Sequence, residues 1–255
     1  MNITFQKKPG VPALQIAFFW RMTVDLTAPA AIEDHFIPEL FFDYFFVQEG
    51  KVECIDQIGG KRFSLSRQSL KTIHTHSLTF KYTTPLVLYG ARLFLPFAET
   101  HQAKMQANRF LDEAWAGKEA GNLDEFKSRV EEYLHRHRTR KLPYRMLSSG
   151  LEESGWLVHY SQRHKRRLYK ELYGLSRREL QNIRNVQAFL EQTCDFGAQN
   201  PRIIQHVNPD VFHDQPHLNH SFKKTTGLSP VEYFEKSSIL QDNLMSASYN
   251  AVPGP

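Results

Sequence analysis

Two cysteines, Cys54 and Cys194, are all that these 255 residues contain, and they fall in different halves of the chain. A disulfide framework or a structural zinc site needs more ligands at closer spacing, so reduced thiols in a cytoplasmic setting are expected. The N-terminal stretch MNITFQKKPGVPALQ has no apolar run after its lysine pair, which argues against a secretory signal. No run approaches the roughly 20 apolar residues that span a bilayer, and no membrane partner is expected. A G-x-S-x-G elbow, a P-loop and an H-E-x-x-H pair are missing too, so no catalytic residue and no cofactor is assigned, and the chain is not read as an enzyme.

What is present is unevenly divided. Residues 1–133 hold 15 Lys and Arg against 16 Asp and Glu, a net of −1, whereas residues 134–240 hold 17 against 10, a net of +7. A basic half of this kind suits phosphate binding. Aromatic residues gather early, as in FFDYFF at 41–46. The first ninety-odd residues read as extended segments punctuated by Pro and Gly: two short strands within 3–24, a strand buried on both faces around FFDYFF and ended by Gly50, and further strands up to Pro96. Asp43, in the middle of the buried strand, needs solvent or an arginine. His74 and His76 share a strand face at period 2, the spacing of paired metal ligands. No Glu follows in SLTFK, so two solvated histidines are expected and no metal site is assigned. Helical signals begin after Pro96 and run through ETHQAKMQANRFLDEAWAG to a stop at Gly117 or Gly121. A second helix follows at 123–137 behind Asn122, with Leu123, Phe126, Val130, Tyr133, Leu134 and His137 on one stripe. The expected fold class is α+β: an antiparallel sheet or barrel-like domain with flanking helices over 1–138, an all-α domain over 139–240, and a disordered tail over 241–255.

The all-α half contains a repeat. Shifted back by 53 residues, Asp214 falls on Ser161, Phe222 on Tyr169, Lys223 on Lys170, Gly227 on Gly174, Leu228 on Leu175, Ser229 on Ser176 and Glu232 on Glu179. Each copy has an N-cap residue, a helical stretch with polar and basic outward positions, and a glycine where the helix must turn left-handed to stop. Between the copies, RRELQNIRNVQAFLEQTC spaces Leu180, Ile183, Val186, Phe189 and Leu190 as one buried helical stripe.

The run DQPHLNHSFKKTTGLSP, at 214–230, resembles the recognition segment of the AraC/XylS family of bacterial transcription regulators almost position for position. LVLYGARLFLPF at 86–97 is similar, over a shorter span, to the strand that closes the N-terminal sensor domain of some members. The resemblance implies two helix-turn-helix units joined by a linking helix, with recognition helices at about 161–173 and 214–226 in successive major grooves. It implies double-stranded DNA as partner, contacted by Gln162, Arg163, Arg166 and Arg167 in the first unit. In the second unit the matching positions are Gln215, His217, Asn219 and His220, with Lys223 and Lys224 set for phosphate. A small-molecule effector in the N-terminal half, a homodimer, and RNA polymerase in the case of an activator are the other partners it implies. The chain departs from the pattern at Lys165, where the family places an inward Leu, at Arg177, where it places Pro, and at Pro209 and Val211 in the second turn. Helical repeats also bind proteins, so the alternative is a sensor that no longer reads DNA. A metal-dependent cupin-like enzyme, resting on His74 and His76, comes third.

Overall fold

The aromatic and β-branched segments of the first half pair as strands because each has a face that only a neighbouring strand or helix can cover. In the computed structural model the described residues are 2–25, 31–56, 60–94, 106–112, 119–137, 160–195, 216–236 and 239–245. Eight strands form one antiparallel sheet: β1 (Asn2–Pro9), β2 (Ile16–Asp25), β3 (Ala31–Phe36), β4 (Phe42–Asp56), β5 (Arg62–Ser64), β6 (Gln68–Lys71), β7 (Leu78–Leu93) and β8 (Phe110–Asp112). Their order is β1-β2-β7-β4-β6-β8, with β3 also on β7 and β5 also on β4. One edge of β7 follows β4 along its length, and the other is shared by β3, opposite Leu78–Thr83, and β2, opposite Leu86–Leu93. The handover falls at Pro85, which has no N–H to give to a ladder.

Gly50 does not end the FFDYFF strand. β4 continues through it with a register shift between Glu49 and Lys51, and a Cβ at Gly50 would meet the Pro85 carbonyl oxygen at 2.5 Å. The glycine serves as a bulge where two backbones come close. Phe110–Asp112 likewise departs from the expected helix and pairs with β6 as an edge strand.

The sheet is covered on both faces. On one, Trp20 is fully buried with Phe5 and Phe45 each 5.7 Å away. On the other, Phe19, Phe46 and Tyr89 receive Phe126 of α1 (Leu123–His137), whose buried stripe of Leu123, Phe126, Val130 and Leu134 follows the expected spacing. The Asn122 side chain caps this helix by accepting from the Glu125 N–H at 2.9 Å.

Asp43 has the arginine it needs. Register places Arg92 of β7 and Lys71 of β6 opposite it on either side, with Arg92 Nε 2.8 Å and Lys71 Nζ 3.0 Å from its oxygens, and Glu39 takes the other edge of the guanidinium. The histidines are neither solvated nor on a strand. His74 and His76 lie buried in the β6–β7 connection; the His74 Nδ1–H donates to the Thr72 carbonyl at 2.8 Å, and His76 Nε2 is 2.9 Å from Asp56 Oδ1. Burial pushes the His74 pKa down to about 3, so its ring is neutral. No group of three His, Cys, Asp or Glu side chains gathers as a metal site among the described residues.

Five further helices are described: α2 (Gln162–Tyr173), α3 (Arg177–Thr193), α4 (Pro216–Thr226), α5 (Pro230–Glu235) and α6 (Ile239–Met245). Among the described residues no helix is long and apolar enough to cross a membrane. α3 carries the expected stripe and divides it: Leu180 and Ile183 join Tyr169, Leu172 and Tyr173 of α2, while Val186, Phe189 and Leu190 join Phe222 of α4 and Tyr233 of α5. Both groups also meet the β-rich half, through Phe42 stacked on Tyr173 and through Ile37, which is buried in the same cluster as Phe189.

The tail expected to be disordered from 241 is helical up to Met245. Leu240 and Leu244 of α6 enter the Trp20 side of the core, the Leu240 N–H donates to Asp34 Oδ2 at 2.8 Å, and the Gln241 amide makes two hydrogen bonds to the Ile37 backbone at 2.9 and 3.2 Å. Residues 246–255 lie outside the described residues.

Candidate nucleic-acid interface

The two copies of the repeat fold as one local design. In the first, Ser161 caps α2 by accepting from the His164 N–H at 3.3 Å, and Gly174 stops it at φ 71° with its N–H on the Lys170 carbonyl. In the second, Gly227 stops α4 at φ 77° with its N–H on the Lys223 carbonyl. Only glycine takes these angles without strain, so both helices end where the spacing of 53 residues says they should. Each stop leads into a capping box that starts the next helix: Ser176 with Glu179 for α3, and Ser229 with Glu232 for α5. Hydrogen bonds from Ser176 and Ser229 hold the two glutamate carboxyls below the usual carboxylate range. A helix, a left-handed glycine and a Ser-x-x-Glu start therefore occur twice in the same order. Asp214, the expected cap of the second copy, lies outside the described residues.

On α2 the buried side is Lys165, Tyr169, Leu172 and Tyr173, and Gln162, Arg163, Arg166 and Arg167 are exposed. Arg167 is partly engaged, by Glu171 at 3.6 Å and His164 at 3.0 Å. Arg163 and Arg166 have no carboxylate partner among the described residues and are the guanidinium groups most available to a ligand. Arg is the side chain best shaped for guanine O6 and N7, and for phosphate. Lys165, where the resembled family has an inward Leu, is buried.

On α4, His217, His220, Lys223 and Lys224 are exposed. Asn219 is half-buried, unlike the outward position expected for it. The reason is helical spacing: Asn219 stands three residues before buried Phe222 and shares its side of the helix with Leu218, four before. Gln215, Pro209 and Val211 lie outside the described residues. Three exposed cations next to the interface are not among the expected contacts: Lys170, and Arg177 and Arg178 at the start of α3. Lys170 is held 3.4 Å from Glu179. The signal for the arginine pair was their place directly after the Ser176 cap.

The chain matches no protein-family model and no curated protein. Among solved structures it is similar to ToxT from Vibrio cholerae, with 11% identity and a TM-score of 0.41 over 91% of this chain and 98% of that one. It is also similar to unsaturated fatty acid-bound ToxT, with 10% identity and a TM-score of 0.35 over 83% and 96%. Another ToxT structure gives 11% and 0.35 over 95% and 98%. Scores this low decide nothing about function, which rests on the helices themselves.

Proposed function

We propose that this chain is a sequence-specific DNA-binding transcription regulator of the AraC type, with α2 and α4 as its two recognition helices. The observation that carries the reading is the doubled unit: two helices of similar length, each stopped by a left-handed glycine and followed by a Ser-x-x-Glu capping box, each presenting exposed basic side chains, and both packed on the one helix α3. Helices joined this way can lie in successive major grooves, about 34 Å apart, on one face of a duplex. Arg163 reads base edges, Lys223 and Lys224 hold phosphates, and the β-rich half is the regulatory part.

Arg163→Ala is expected to cost about 1 to 3 kcal/mol on a preferred duplex and to relax preference at one base pair. Lys223→Ala should weaken binding to all sequences alike and reduce the salt slope by about 1. Titrations of both variants against a preferred and a random duplex at several salt concentrations separate the two roles. Equal losses on both duplexes for Arg163→Ala would remove it from base reading.

A further inference from the structure

The exposed faces of α2 and α4 do not account for a cleft of about 560 Å3 between α2 and α3. Its walls carry Lys165, Arg166, Arg177 and Arg178, together with the side-chain amides of Gln181 and Asn182, and among the described residues no carboxylate lines it. The exposed guanidinium groups of Arg166 and Arg178, with two amide donors facing the same open cleft, are suited to an anion of several oxygens. The cleft is continuous with the exposed face of α2, because Gln162 and Arg166 belong to both. A duplex lying against that face therefore runs its sugar–phosphate edge past the cleft mouth.

We infer that the α2–α3 cleft is a phosphate clamp, in which Arg177 and Arg178 at the start of α3 close with Lys165 and Arg166 on a backbone phosphate of the bound duplex. The inference rests on the DNA-binding reading and adds a sequence-independent subsite to it. Phosphate-bound side chains of this kind fix the register of a protein on the duplex and carry no base information. The clamp gives the first unit an anchor on the α3 side, while Arg163, on the open face of α2 outside the cleft, stays available for bases.

The test is the salt dependence of duplex binding by the full chain, compared with the Arg177→Ala/Arg178→Ala variant and with Arg177→Lys/Arg178→Lys. Alanine is well tolerated at helix starts and leaves the Ser176–Glu179 box in place, and circular dichroism checks that the fold is kept. The slope of log K against log salt is expected to become shallower by roughly 0.9 for each phosphate that the variant no longer neutralises, with equal losses on preferred and random duplexes and recovery in the lysine variant. Wild-type binding with an unchanged slope in the alanine variant would overturn the clamp and leave the DNA-binding reading intact. No duplex binding by the wild type at any salt would overturn both. Inorganic phosphate titrated into 15N-labelled wild type distinguishes a free anion from the duplex. Saturable shifts of the Arg177 and Arg178 resonances, alongside an unchanged duplex salt slope in the alanine variant, would assign the cleft to a free phosphate and overturn the clamp.

Discussion

Asp43→Ala is expected to lower the free energy of unfolding by about 3 to 5 kcal/mol, the usual cost of removing one partner from a buried ion pair. Arg92 and Lys71 both point at Asp43 from neighbouring strands, and all three side chains are at most 2% exposed. Without Asp43, among the described residues Lys71 is left with no carboxylate and Arg92 keeps only Glu39. For a chain of this size each kcal/mol lowers the melting temperature by roughly 2 to 4 °C, so a fall of about 6 to 20 °C should appear in thermal melts. Replacing Asp43, Lys71, Arg92 and Glu39 together by Leu, Leu, Met and Leu should recover much of the stability, because the cost comes from the stranded charges and Glu39 would otherwise lose its arginine. Burial pushes the Asp43 carboxyl up, but Arg92 and Lys71 outweigh it and hold its pKa below the ordinary value. Its contribution is therefore complete above about pH 4 and disappears as the pH falls through the lowered value. Wild type and variant should converge in acid. A constant difference down to pH 2 would contradict the ion-pair account.

Phe222→Ala is expected to cost about 3 to 5 kcal/mol as well, but locally. The Phe222 ring is fully buried, 5.0 Å from Phe189 and 5.4 Å from Tyr233, and with Thr226 it is one of the two buried anchors of α4. Removing it leaves a cavity under α4 while the sheet core around Trp20 stays packed. Hydrogen exchange should show α4 amides becoming less protected with β4 and β7 unchanged, and the preference at the second half-site should disappear. Full protection of α4 in the variant would mean that something else holds the helix.

The repeat and its glycine stops were legible in the sequence because each is a local device: Gly174 bonds back to Lys170, four residues away. The stripes of α1 and α3 were legible for the same reason, since period 3.6 is written in neighbouring residues. What was not legible depends on distant partners. α6 is a helix because Asp34 and Ile37, some two hundred positions earlier, supply its anchors. Phe110–Asp112 is a strand because β6 lies beside it, and His74 is buried by Phe110 packing at 5.2 Å between ring centres. The need of Asp43 for a cation was readable, but the identity of its two cations depended on cross-strand register. The half-burial of Asn219 was within reach, because it stands three residues before inward-facing Phe222 and next to Leu218 on the same side of the helix. The α2–α3 cleft required the crossing of two helices, which no local spacing records.

If α2 and α4 read two half-sites on one duplex, selection from a random-sequence duplex pool with the purified full chain, at two salt concentrations and followed by sequencing, will reveal both. Enrichment of a bipartite motif without internal symmetry, its halves about one helical turn apart, is the expected result. Salt-sensitive binding that enriches no sequence would contradict it, leaving a basic surface with no reading heads.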